Sequence, residues 1–223
     1  MEKQDNTGLG LIKTTIERVQ NEGSLFSSAL KKLVNSTEEE LDDFLKRKIE
    51  KQTNGILRLI SGGQTLALKA LDGDRLICKA ETTFKSFLDE DFVKGGINKP
   101  GVATPETPVL VREIVSNSKF VDIFGSLPGT WNQKWVSQNQ VIEFCEKLPD
   151  WLKQGGKATF FLIKKDENSA INENNPEDNL AVIRVRVLSD GLRVYVYRLG
   201  HRGVWIGEYR HRVVSPQLIP LAK

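Results

Sequence analysis

The sequence has few of the residues from which metal sites and disulfide frameworks are built. Its 223 residues include two cysteines, Cys78 and Cys145, and two histidines, His201 and His211. Both cysteines lie in apolar stretches, and two are too few for a disulfide framework or a zinc site. We therefore interpret both as reduced core thiols and expect no bound metal.

Signals for nucleotide cofactors and for membranes are also missing. Ser61-Gly62-Gly63 is not followed by Gly-Lys-Ser/Thr, so it is not a phosphate-binding loop, and the glycines of 125–129 mark a turn. No apolar run approaches the roughly 18–20 residues that cross a bilayer. The polar N-terminus lacks the apolar stretch of a signal peptide. We expect no cofactor, no membrane association and a cytoplasmic location.

What the sequence does have is a strong charge asymmetry. Its last 45 residues hold eight Lys or Arg, seven of them Arg, against Asp190 and Glu208. The first 178 residues hold 24 basic and 27 acidic side chains, so the overall charge of +3 hides a basic C-terminal region. Such a region indicates an anionic partner, either nucleic acid or an acidic protein.

The first 54 residues have the pattern of helices. Leu9, Ile12, Ile16 and Val19 recur at spacings of three and four, and two further amphipathic segments follow before Gly55. We predict a helical region over 1–54 and an α+β domain over 55–223. The fold class expected is therefore α+β, with N-terminal helices before a mixed domain that ends in an antiparallel β-meander.

Within the second region the elements alternate. Asp72-Gly73 predicts a hairpin between strands at 65–71 and 75–78, and Thr104-Pro105-Glu106 predicts the start of a helix. Further helices are predicted at 120–124 and after Ser137, which forms a capping box with Gln140. The run 158–164 is apolar on both faces, which predicts a central strand. The acidic stretch 166–179 is interpreted as a mobile hairpin loop.

The predicted β-meander spans 180–214. An Asp190-Gly191 turn that pairs 189 with 192 gathers the valines of both strands on one face, so we prefer it to a three-residue loop. A second turn at 200–203 then adds a third strand. It places Trp205 and Tyr209 on the apolar face and makes the other face basic, with Arg184, Arg186, Arg193, Arg210, Tyr195, Tyr197 and Glu208.

Three functions are compatible with this face. A non-enzymatic interaction protein would use arginines for phosphates and tyrosines for stacked bases, or would bind an acidic protein. A nuclease or other phosphate-handling enzyme would be centred on His211, since His201 lies roughly 30 Å away on an extended strand. A structural subunit would use the long side chains only to cover apolar surface. We prefer the first and leave the oligomeric state open.

From about residue 81 onward the chain resembles a family of uncharacterised bacterial proteins from uncultivated, small-genome lineages. The resemblance covers roughly 60% of the chain and supports treating 81–223 as a unit, with no activity to carry over. The matching stretches are Thr104-Pro105-Glu106-Thr107, 138–143 before Trp151-Leu152, 158–162, Ser189-Asp190-Gly191-Leu192, and Trp205 with 208–218.

Overall fold

The structure is a computed structural model that describes residues 55–62, 64 and 66–218. These residues belong to one compact unit, Thr53–Lys223. The helices predicted for 1–54 lie outside the described residues. In the described part of the chain, no helix is both long and apolar enough to cross a membrane.

The described residues are built around one mixed sheet of eight strands. Its order is β1-β4-β8-β5-β6-β7-β3, and β2 also pairs with β4. The pairs β5–β8 and β3–β7 are parallel, and the others are antiparallel. The strands are β1 (Leu57–Leu59), β2 (Leu66–Leu68), β3 (Phe87–Leu88), β4 (Thr107–Ile114), β5 (Ala158–Lys164), β6 (Leu180–Leu188), β7 (Gly191–Arg198) and β8 (Arg212–Pro216).

Helices are short and few in this part of the chain. The α-helices are α1 (Asp91–Lys94), α2 (Phe120–Gly125) and α3 (Gln138–Lys147). Single 3₁₀ turns occur at Ile77–Lys79, Trp131–Gln133, Pro149–Trp151, Pro176–Asp178 and Gly207–Tyr209. The described fold is therefore dominated by its sheet. This corrects the expected α+β class, because the described domain is a mixed sheet with short helices and does not end in an antiparallel meander.

Strand β4 replaces the helix that was predicted after Thr104-Pro105-Glu106. It pairs with β1 and β2 along one edge and with β8 along the other. Val109, Val111 and Ile114 are completely buried. The run of β-branched residues suits a strand as well as a helix, and pairing on both sides decides between them. The hairpin predicted at Asp72-Gly73 is wrong too, because Leu71 bridges to Thr104 instead.

The predicted three-stranded meander is also wrong. β6 and β7 form a hairpin, but β8 leaves it and inserts between β4 and β5. Val213 and Val214, neighbours with side chains on opposite faces, are both buried, so β8 needs an interior position in the sheet. The outer edge of β7 pairs with β3.

The β6–β7 register differs from the predicted one by two residues. Arg184 pairs with Tyr195 and Arg186 with Arg193, whereas the prediction placed Arg186 opposite Tyr195. An even shift keeps every side chain on its face. The arginines and tyrosines of this hairpin therefore share one side, as expected.

Several local predictions are confirmed. Helix α2 lies where it was expected, and Ser137 and Gln140 form the reciprocal capping box that begins α3. Strand β5 is buried along its whole length and lies between β6 and β8. Each of these features depends on a short stretch of sequence.

The sheet separates two hydrophobic cores. On the first face, α3 packs through Val141, Ile142 and Phe144 against Phe161 and Val185. On the second face, α2 packs against a different set of side chains, which includes Phe160, Leu162, Val182 and Val213. Because α2 is only six residues long, it covers only part of the second face.

The loop between β5 and β6 is tied to both sides of the fold. Glu167 accepts hydrogen bonds from the backbone N–H groups of Gln138 and Val102, each at 3.0 Å. Glu173 accepts from the backbone N–H groups of Trp131 and Asn132 at 2.9 and 3.1 Å. The mobility predicted for 166–179 stays a prediction.

Candidate functional site

The second face of the sheet becomes basic where α2 no longer covers it. Strand β6 contributes Arg184 and Arg186, and the strand register places them beside Tyr195 and Arg193 of β7. Phe87 of β3 is the strand partner of Arg193 and lies on the same side of the sheet. We call these five residues the basic face. Alternation along each strand brings them to one side, with the valines of β6 and β7 in the core behind them.

Arg184 is half-buried among aromatic rings. Its Nη1 donates a hydrogen bond to Tyr197 Oη at 3.1 Å. Its guanidinium carbon lies 5.2 Å from the Trp205 ring centroid and 5.5 Å from that of Tyr195, which is cation–π geometry. No carboxylate of the described residues forms an ion pair with it. Aromatic rings therefore surround this positive charge, and no described carboxylate neutralises it.

Arg186 and Arg193 are half-buried and are held by few hydrogen bonds. Arg186 Nε donates to the Gly156 carbonyl at 2.8 Å, and no described carboxylate pairs with it. Arg193 donates to Ser86 Oγ at 2.8 Å and to Asp190 Oδ2 at 3.1 Å. The hydrogen bond to Asp190 raises the pKa of Arg193. Each guanidinium has five N–H donors, so both retain donors for a ligand.

Two exposed aromatic rings lie near the ends of the basic face, and each has its own neighbouring cation. Phe87 stacks on Tyr195 with ring centroids 4.9 Å apart, and 42% of Phe87 is exposed. Tyr209 is 44% exposed, and Lys157 Nζ lies 3.7 Å from its ring centroid. The sequence interpretation missed Phe87 and Lys157, since nothing in the sequence marks a strand of two residues. It also assigned Trp205 and Tyr209 to the wrong face.

Tyr197 serves the site as a support. Its ring packs against His201, Phe120 and Trp205 at centroid distances of 5.1, 5.9 and 6.1 Å. Its hydroxyl accepts the hydrogen bond from Arg184. The ring is therefore enclosed by neighbours, and its hydroxyl holds the Arg184 guanidinium in place.

Arg210 lies in a turn, and its predicted position on the third strand of a meander is wrong. It follows the 3₁₀ turn Gly207–Tyr209 and adopts a left-handed conformation, with φ of 50°. Among the described residues it is the one non-glycine with positive φ. This conformation costs an L-residue about 1–2 kcal/mol. Tyr209 and His211, its neighbours, are in ring contact at 5.8 Å.

His211 is a structural side chain. It is 4% exposed, and its Nδ1 accepts a hydrogen bond from the backbone N–H of Ala158 at 3.0 Å. Burial, and then the nearby charges of Arg184, Lys157 and Lys153, lower its pKa to about 4. At neutral pH the imidazole is therefore uncharged, with Nδ1 occupied, which suits neither general acid nor general base catalysis.

The predicted separation of roughly 30 Å between the two histidines is wrong. His201 is exposed, and its ring centroid lies 6.3 Å from that of Phe120. The ring centroids of Phe120 and Trp205 are 5.0 Å apart. Trp205 in turn contacts His211 at 5.4 Å, so the two imidazoles flank one aromatic cluster. The chain bends back between them at the 3₁₀ turn and at Arg210.

Other parts of the described chain offer weaker candidates. No group of three His, Cys, Asp or Glu side chains in these residues is arranged to hold a metal ion. A groove of about 620 Å³ lies between α1 and the far end of the β6–β7 hairpin. Three cations and three carboxylates share it, so it has no preference for one charge: Lys94, Lys165, Arg198, Asp91, Glu177 and Asp178.

Comparisons of this chain with protein-family models, with curated proteins and with solved structures gave no match.

Proposed function

We propose that the basic face binds single-stranded nucleic acid and that the protein acts by binding. One observation carries the proposal: an exposed Phe87 stacks on Tyr195 beside Arg184 and Arg186, which no described carboxylate neutralises. Unpaired bases stack on aromatic side chains, and guanidinium groups contact the phosphates that connect them.

The combination of rings and cations favours nucleic acid over an acidic protein. An acidic peptide requires cations, whereas an accessible flat ring beside them is a feature that a base uses. Phe87 and Tyr195 lie at the edge of the sheet, where a strand that carries unpaired bases can approach. The acidic-protein alternative becomes an outcome of the test below.

The state of the two cysteines fits a reducing compartment such as the cytoplasm. Both cysteines are free thiols, Cys145 buried and Cys78 half-buried. Burial raises the pKa of the Cys145 thiol well above its ordinary value, so the thiol stays protonated and unreactive. A cytoplasmic location is therefore part of the proposal.

The chain offers a matched control for the test. Arg198 lies on β7 like Arg193 but pairs with Ala181 on the first face, and it is exposed. The Arg186→Ala and Arg193→Ala variants remove one charge each from the basic face, and Arg198→Ala removes one charge from the opposite side. All three change the net charge equally, so a difference between them reports position.

Fluorescence anisotropy with a labelled single-stranded oligonucleotide measures the effect. We expect binding that weakens as salt rises, with the logarithmic salt slope reduced by roughly 0.7 for each phosphate contact removed. Arg186→Ala and Arg193→Ala should weaken binding severalfold, and Arg198→Ala should stay within about twofold of the parent. Thermal unfolding checks that each variant is folded. Absence of binding at low salt, equal loss in all three variants, or binding of polyglutamate alone would overturn the proposal.

A further inference from the structure

The basic face is flanked by two exposed rings, each beside a cation. Phe87 lies at the β3 edge, with Arg193 as its strand partner. Tyr209 lies at the other side, with the Lys157 ammonium over its ring. Both rings are more than two-fifths exposed, so each can accept a base on its free side.

One row of the sheet connects these two rings. Phe87 pairs with Arg193, Arg193 with Arg186, and Arg186 with Ala158, across β3, β7, β6 and β5. Three strand spacings correspond to roughly 14 Å. Tyr209 lies just beyond Ala158, because Ala158 donates its N–H to His211 and the His211 ring contacts that of Tyr209. The rings are thus separated by a span on the order of 15–20 Å.

Away from the β6–β7 turn, the basic face is closed to a ligand. Beyond Tyr195 the next ring on this side of β7 is Tyr197, which is enclosed by Phe120, His201 and Trp205. Beyond Arg184 the next residue on this side of β6 is Val182, which is fully buried. A ligand on this face is therefore limited to the part nearer the turn, where the row through Arg193 and Arg186 runs across the strands between the two exposed rings.

We infer that a single strand crosses the sheet from Phe87 to Tyr209, with one base on each ring and the phosphates between them at Arg193 and Arg186. This inference rests on the proposed function and specifies its ligand. A strand that covers the span has about four nucleotides, which is the lower end of the range that OB-fold sites bind. The stacking rings give no base preference, so the ligand class is a short single strand of any sequence.

A length series tests the path. Oligothymidines of two, four, six and eight nucleotides are titrated with the full chain, and affinity should rise steeply up to about four and only gradually beyond. Phe87→Ala and Tyr209→Ala should each weaken binding of the tetranucleotide about tenfold or more. Phe87→Tyr and Tyr209→Phe, which retain a ring, should restore most of this loss. Val93→Ala, which removes an exposed apolar side chain from α1, should leave affinity unchanged.

The outcomes separate this inference from the proposed function. If the tetranucleotide binds and Phe87→Ala weakens it while Tyr209→Ala does not, the crossing path is overturned and the proposed function stands. If affinity shows no step with length, the four-nucleotide span is overturned. If no oligonucleotide binds at any length, the proposed function itself fails.

Discussion

His211 Nδ1 lies 3.0 Å from the backbone nitrogen of Ala158 and accepts its hydrogen bond. This contact joins the residue before β8 to the first residue of β5, at the point where the two parallel strands begin to pair. Nδ1 can accept only while it is unprotonated, so the contact requires the neutral imidazole.

The free energy of unfolding should therefore decrease as the pH falls, because protonation of His211 opposes this contact. The folded-state pKa of His211 is about 4, below its ordinary value of 6.5, so the imidazole binds a proton more readily in the unfolded chain. The stability from this group is complete above pH 6.5 and is lost as the pH falls toward 4, by about 3 kcal/mol. Urea unfolding at pH 7, 6, 5 and 4 measures the loss.

His211→Asn is the control, because its amide oxygen can replace Nδ1 as the acceptor without titrating. This variant should show a smaller decrease in unfolding free energy over the same range, since the carboxylates that titrate there are common to both proteins. Parallel pH profiles for the two proteins would refute the assigned role of His211.

The position of β8 can be tested by a cross-link. Val111 and Val214 are partners across β4 and β8, in a non-hydrogen-bonded pair set by the bond from Ile114 N to His211 O. Such pairs have Cα atoms about 4.5 Å apart, within the range that a disulfide spans. Val111→Cys with Val214→Cys should oxidise to one new disulfide, found by peptide mapping. Val111→Cys with Val194→Cys, separated by β8, β5 and β6, should not.

Arg210 should lower the stability of the fold and contribute to oligonucleotide binding. Glycine adopts the left-handed conformation without the cost paid by arginine, so Arg210→Gly should raise the free energy of unfolding by up to about 1 kcal/mol. The same change removes a cation beside Tyr209 and should weaken oligonucleotide binding. Arg210→Lys keeps the charge and should keep most of the affinity. A glycine variant that binds as well as the parent would show that Arg210 serves no ligand.

Glu167 should matter for stability far more than its loop position indicates. Its carboxylate accepts from two backbone N–H groups, of Gln138 and Val102, and it is buried. Glu167→Ala leaves both donors unsatisfied and should cost about 2–4 kcal/mol. Asn174→Ala, in the same loop and exposed, should cost less than about 0.5 kcal/mol. Chemical denaturation compares the two variants, and equal values would contradict the anchoring.

The sequence predicted those elements whose signals are local. The Ser137–Gln140 capping box and the apolar run of β5 each specify an element within ten residues, and both are confirmed. Strands β4 and β8 could not be placed in this way, because their pairing joins residues about 100 positions apart. The helix-like spacing of Leu110, Val111 and Ile114 describes burial on both faces of a strand equally well.

The candidate site was predictable in part for the same reason. Alternation within the β6–β7 hairpin places Arg184, Arg186, Arg193 and Tyr195 on one side in any register of the same parity. Phe87 joins them through a two-residue strand, and Tyr209 through a turn that reverses at Arg210. Neither has a periodic pattern, so only the folded arrangement brings these rings to the site.

Ultraviolet cross-linking to a single-stranded oligonucleotide, followed by mass spectrometry of the peptides, tests the central claim most directly. The claim predicts cross-links at Phe87, Tyr195 and Tyr209, which Arg186→Ala reduces and Arg198→Ala leaves unchanged. Cross-links confined to the groove around Lys94 and Lys165, or no cross-link at low salt, would contradict it.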